Sequence, residues 1–129
     1  MKPSTAVIGS GENIVLPKSS KQVDYEGEFG VVISKKAKDV PEEKANDFML
    51  GYFCINDVPE GYFQKNDGQW TRAKGFDPFA PIGPWIVTDI SANDLKIETY
   101  LNDESRQSSQ TSDLLFGVPK LRPPFRGAS

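Results

Sequence analysis

The chain has 129 residues, enough for one ordinary domain around one modest core. Hydrophobic residues make up 37% and charged residues 26%, the balance of a soluble globular domain. The net charge of −3, with Lys and Arg mixed among Asp and Glu, leaves no basic stripe for phosphates and argues against nucleic acid, while the apolar runs are far too short to cross a bilayer.

In chain order, residues 6–16 read as two extended pieces around a turn at Gly9-Ser10-Gly11. Residues 22–33 form the clearest strand. At period two, Val23, Tyr25, Phe29, Val31 and Ile33 fall on one face, and Asp24, Glu26 and Glu28 on the other. Asp39-Val40-Pro41-Glu42 fits a capping box and predicts a helix. Ala45, Phe48, Met49 and Tyr52 form its apolar stripe, and the helix should end near Gly51. Residues 53–58 read as a short buried strand interrupted by Asn56-Asp57. Residues 59–75 are loop-rich, with a turn at Asn66-Asp67-Gly68. Two further strands are expected at 85–90 and 95–101, as a hairpin across 91–94, with another hairpin turn at Asn102-Asp103-Glu104. Residues 114–121 are apolar and start a helix or a strand. The tail, 122–129, holds two adjacent prolines and no periodicity, and is expected to be poorly ordered.

The chain contains no histidine, so an acid or base must be Glu, Asp or Lys unless an imidazole is borrowed from elsewhere. The lone cysteine, Cys54, excludes an intramolecular disulfide and reads as a small buried hydrophobe. Met1-Lys2 is followed by Pro3-Ser4 and not by an apolar stretch, so no signal peptide is expected and a cytoplasmic location fits.

Glu26 and Glu28, two apart on one strand face, repel each other unless protons or a cation neutralise them. A hard divalent ion such as Mg²⁺ suits such oxygen ligands, although from spacing alone a solvated strand face is the commoner explanation. Asp57 stands in an apolar stretch, where it either closes an Asx-turn with Asn56 or serves a site. Lys74 could hold a carboxylate or face an enolate oxygen, and Gln64 could donate to a substrate. By its surroundings in the chain Lys74 reads first as an exposed loop lysine, and Gln64 could equally sit in water.

Five linked stretches resemble one family, that of fumarylacetoacetate hydrolase. Asp24-Tyr25-Glu26-Gly27-Glu28-Phe29-Gly30-Val31-Val32-Ile33 is similar to its DYEGELGVVI strand, and Asn56-Asp57-Val58 to its NDV motif. Gln69-Trp70-Thr71-Arg72-Ala73-Lys74-Gly75-Phe76-Asp77 resembles QWTRAKSFD, and Gly83-Pro84-Trp85-Ile86-Val87 the GPWIV that follows. Lys2-Pro3-Ser4-Thr5-Ala6-Val7-Ile8-Gly9 looks like the opening KPxSAVIG. Order and spacing hold from Lys2 to residue 121.

The resemblance implies an α+β, mainly β fold. This is the mixed β-sheet roll of the family's C-terminal domain, incomplete at both ends, spanning 1–121 and followed by a non-family tail at 122–129. It also implies a divalent metal (Mg²⁺ or Mn²⁺, with Ca²⁺ a further candidate) held by Glu26, Glu28 and Asp57, with Lys74 and Gln64 at the substrate. In such a site the metal chelates a 2-oxo acid and stabilises the enolate formed when a neighbouring bond breaks. This sequence departs from the family pattern where the family arginine falls on Gly61, in the missing segment that carries a histidine and a glutamate, and in the segment after 121.

The expected function is therefore a metal-dependent enzyme of 2-oxo or 2-oxo-enoic acids, as in aromatic-ring catabolism. Without the His–Glu pair, isomerisation or decarboxylation is favoured over hydrolysis. The alternative is a catalytically inactive, metal- or oxo-acid-binding remnant stabilised by self-association. Open sheet edges favour pairing, so a homodimer is expected in either case.

Overall fold

The computed structural model describes residues 1–120, so the expectations for Leu121 and for the tail, 122–129, lie outside the described residues. The chain is mostly β. A four-stranded sheet runs in the order β1 (Val7–Ile8), β4 (Ala80–Val87), β3 (Met49–Asn56), β2 (Gly27–Ile33). β1 pairs with β4 in parallel and the other pairs are antiparallel, which makes the sheet mixed. A separate hairpin, β5 (Lys96–Leu101) with β6 (Glu104–Gln110), turns at Asn102 and Asp103, both at positive φ as such a turn requires. Two short helices, α1 (Gly61–Asn66) and α2 (Thr71–Lys74), lie between β3 and β4. No described helix is long and apolar enough to cross a membrane.

The elements depart from the sequence expectations in several places. Residues 39–51 are not one helix. Asp39 sits at φ 51° and cannot act as an N-cap, a 3₁₀ segment occupies Glu42–Phe48, and β3 begins at once with Met49. Spacing of Phe48, Met49 and Tyr52 mimicked a helical stripe, although Gly51 belongs to a strand. A Cβ on Gly51 would run into the Val87 carbonyl, so β3 and β4 approach closely there. The strand at 22–33 is shorter, Gly27–Ile33, with Val23 making an isolated bridge to Glu60. The hairpin expected across 91–94 does not form, because β4 pairs with β3 and β5 with β6. The stretch 59–75 carries α1 and α2 where loops were expected, and only Val7–Ile8 of 6–16 joins a sheet. Cys54, expected buried, is exposed.

The core is small, and apart from Val118 it lies at one end of the sheet. Ala6, Val58, Ala73, Phe79 and Ala80 are buried together, with Phe79 fully enclosed. Phe79 stands 5.4 Å from Phe76, which stacks on Phe63 of α1 at 5.9 Å. Burying a phenylalanine of this kind contributes about 1.5–3 kcal/mol. This aromatic column ties α1 and α2 to the start of β4, directly beneath the carboxylates described next.

Candidate metal centre

β-Sheet register brings the three carboxylates together. Gly27 faces Asn56 and Glu28 faces Ile55 across β2 and β3, and one step further the Asp57 N–H donates to the Glu26 carbonyl at 2.9 Å. Asp57 is thus opposite Glu26, and Glu28 is its diagonal neighbour on the same face. Each of Glu26, Glu28 and Asp57 offers a carboxylate oxygen, and these oxygens all lie within 4.8 Å of one another. Asn56, read beforehand as a local turn former, instead accepts the Glu26 N–H across the strands at 2.9 Å. Its side chain fixes the backbone of one carboxylate from beside another.

Two ammonium groups reach the cluster. Lys74, at the end of α2, is 5% exposed rather than a solvated loop lysine. Its Nζ donates to Asp57 Oδ2 at 2.6 Å, to the Asp57 carbonyl at 3.1 Å and to Glu26 Oε2. Burial alone would lower its pKa, but the bonds to Asp57 and Glu26 outweigh burial and raise it. Lys2 donates to the Val58 carbonyl at 2.7 Å and to the Lys74 carbonyl at 2.9 Å, with its Nζ 3.0 Å from Asp57 Oδ1. Burial lowers the Lys2 pKa, against the pull of Asp57.

The carboxylates answer differently. Burial pushes Asp57 up, yet the Lys74 hydrogen bond and the positive charges of Lys2 and Lys74 hold it below its ordinary value. Glu28 is exposed as a residue, but its carboxyl is raised, first by the protein atoms crowding it and then by the charges of Asp57 and Glu26. Three carboxylates facing two ammonium groups leave an excess of negative charge. The donor set also suits a hard divalent cation: all oxygens, closely grouped, with Asp57 Oδ1 buried beside Lys2 but receiving no directed hydrogen bond.

The site is held from the second sheet as well. The Gln107 side chain on β6 accepts the Gly27 N–H at 2.9 Å and donates to the Gly27 carbonyl at 2.7 Å, pairing with the backbone between the two glutamates as a strand would. A Cβ on Gly27 would collide with Thr99 Oγ1 of β5, so only glycine lets the hairpin close on this point. Gln64 is half-buried on α1, where its backbone N–H donates to the Glu60 carbonyl at 3.0 Å. Among the described residues its side chain makes no hydrogen bond to the cluster.

Glu60, Lys2 and Gln107 carried no local signal of their roles. Glu60 is fully buried, and its Oε2 caps α1 by accepting the Phe63 N–H at 2.6 Å. Its Oε1 accepts from Ser20 Oγ (3.1 Å) and the N–H groups of Lys21 (3.0 Å) and Gln22 (3.4 Å). Burial works to raise its pKa, but these donors bring it below the ordinary value.

With a mixed sheet, three converging carboxylates and a buried lysine in place, comparison with known proteins is informative. The C-terminal domain model of fumarylacetoacetate hydrolase matches residues 1–121, and the chain belongs to that family. An uncharacterised protein of Archaeoglobus fulgidus is 52% identical over 121 residues, which cover 94% of this chain and 48% of that protein. The crystal structure of a 5-carboxymethyl-2-hydroxymuconate delta-isomerase from Mycobacterium smegmatis is 48% identical with a TM-score of 0.91, covering 93% of this chain and 48% of that one. A maleylpyruvate hydrolase from Sphingobium sp. SYK-6, solved with manganese(II) and pyruvate, is 31% identical with a TM-score of 0.80, covering 92% and 44%. The chain spans about half the length of the curated relatives it matches.

Proposed function

We propose that this chain carries the metal- and substrate-binding centre of an enzyme acting on 2-oxo or 2-oxo-enoic acids. The observation that supports it best is the grouping of Glu26, Glu28 and Asp57 oxygens within 4.8 Å of one another, with the Lys74 ammonium bonded to two of the three. These residues would hold Mg²⁺ or Mn²⁺, which when bound supplies Lewis-acid polarisation of a 2-oxo group. The manganese(II) and pyruvate in the maleylpyruvate hydrolase structure fit that reading. Lys74 keeps a positive charge beside the reacting carbonyl, and Gln64 supplies an amide donor toward the substrate. Isomerisation, decarboxylation and C–C hydrolysis all use this electrophilic half, and turnover assays on each substrate class separate them.

The second reading is a binding module without turnover that works as a dimer. It is favoured by exposed apolar side chains on the far end of the sheet and hairpin, Trp85, Ile86, Tyr100 and Leu101 among them, which a second copy would cover. Titration calorimetry with Mn²⁺ on wild type and Glu28→Ala, followed by assays on an acylpyruvate, oxaloacetate and a hydroxymuconate-type diacid, tests both. Mn²⁺ affinity lost in Glu28→Ala together with turnover supports the enzyme. Affinity without turnover supports the module, and no Mn²⁺ affinity in the wild type rejects both.

A further inference from the structure

Lys2 is the one group near the carboxylates whose contacts have no place in the reading above. Its side chain is 10% exposed, although lysine side chains ordinarily lie in water. The ammonium is committed at short range: 2.7 Å to the Val58 carbonyl, 2.9 Å to the Lys74 carbonyl and 3.0 Å to Asp57 Oδ1. It also lies 5.8 Å from the centroid of the buried Phe79 ring. The first carbonyl follows Asp57 directly, and the second is that of Lys74 itself. A single side chain thus grips the backbone on both partners of the Asp57–Lys74 ion pair, from 56 and 72 residues away.

Asp57 needs such a grip. β3 ends at Asn56, so Asp57 already leaves the ladder, held to β2 by its one N–H bond to the Glu26 carbonyl. Lys74 holds Oδ2, and a carboxylate held by one oxygen still swings about its terminal torsion. Lys2 faces the other oxygen, which is buried and has no directed hydrogen bond.

We propose that Lys2 is a positioning residue for the metal centre: its ammonium holds the Asp57 carboxylate and the end of α2 in the arrangement that lets Asp57 share a cation with Glu26 and Glu28. This rests on the metal reading given under the proposed function. Groups that orient metal-bound carboxylates from behind typically change affinity by about 10- to 100-fold when removed. Simple charge counting makes the opposite forecast, because deleting a positive charge beside the site would tighten cation binding.

The test uses the whole 129-residue chain, with Mn²⁺ as the probe. Lys2→Met keeps the apolar stem and removes the ammonium. Calorimetry should show Mn²⁺ affinity falling by about 10- to 100-fold, and the electron paramagnetic resonance spectrum of the remaining bound Mn²⁺ should change as one ligand loses its orientation. If Lys2→Met does not fold, Lys2→Gln, which retains amide donors for the two carbonyls, is expected to show the same loss and the same spectral change. A lowered melting temperature with wild-type affinity and spectrum would make Lys2 a fold staple only and overturn the proposal, and tighter Mn²⁺ binding would overturn it as well. Glu28→Gln is the control. If it binds Mn²⁺ as wild type does, the metal reading fails and this proposal with it. If it loses binding while Lys2→Met does not, this proposal alone fails.

Discussion

β4 is two different strands in one. At its start, Ala80 is 1% exposed and paired with Val7 of β1, and it follows the fully buried Phe79. At its end, Trp85 is 71% exposed and Ile86 and Val87 stand largely in solvent beside an edge that β1 does not reach. The carboxylate cluster sits over the first end. Lys2, Asp57, Val58 and Lys74 are linked there to the same few side chains that make the core. Packing and chemistry therefore share one small region, and the other end of the sheet leaves Trp85 and its neighbours as exposed apolar surface.

That contrast can be broken most forcefully by truncation at each end. Phe79→Ala should cost about 3–5 kcal/mol in urea unfolding, a large part of what a domain of this size has. Trp85→Ala should fall within about 0.5 kcal/mol, as surface substitutions do. Equal losses would show that the Trp85 end is covered in solution. An accompanying shift from dimer to monomer in sedimentation would identify a second copy as the cover.

Glu60 gives a somewhat smaller effect, confined to the packed end. Glu60→Ala removes the cap of α1 and leaves the N–H groups of Lys21, Gln22 and Phe63 without their buried acceptor, at about 2–4 kcal/mol. The folded-state pKa of Glu60 lies below its ordinary 4.5. Its contribution is thus fully present above pH 4.5 and is lost as pH falls through the folded value. Acid unfolding of Glu60→Gln should show a shallower dependence in that window. An unchanged slope would mean that another carboxylate governs acid stability.

The parts of this arrangement that could be read along the chain are those that depend on near neighbours. Strand alternation places Glu26 and Glu28 on one face, and the Asn102-Asp103 turn is set by residues tolerant of positive φ. The local motifs also placed the chain in its family. The register that sets Asp57 opposite Glu26 has no such signal, since it depends on β3 beginning at Met49 while the apolar spacing there imitates a helix. Lys2, Glu60 and Gln107 act across 38 to 80 residues, and nothing near them in the chain marks a lysine, a glutamate or a glutamine as buried or bridging. Lys74 lay between the two: its motif pointed to a role, but its burial follows from Phe79 and α2 and not from its flanking residues.

The smallest effect separates the carboxylates themselves. Lys74 pairs with Glu26 and Asp57, and Lys2 with Asp57, while among the described residues Glu28 has no ion pair. Crowding by protein atoms and the charges of Asp57 and Glu26 raise its pKa above the ordinary 4.5. The folded chain then binds that proton more tightly than the unfolded chain, so stability without metal declines as pH rises from 4.5 through the folded value and stays lowered above it. Glu28→Gln lacks the charge. In chelator at pH 7 it should melt slightly above wild type, and the gap should close near pH 4. Added Mn²⁺ should reverse the order, because a ligand at 100 times its Kd stabilises the native chain by about 2.7 kcal/mol and only wild type would bind it. If Glu28→Gln melts below wild type in chelator, the Glu28 charge is compensated in the metal-free chain. The excess of negative charge that favours a cation here would then be absent.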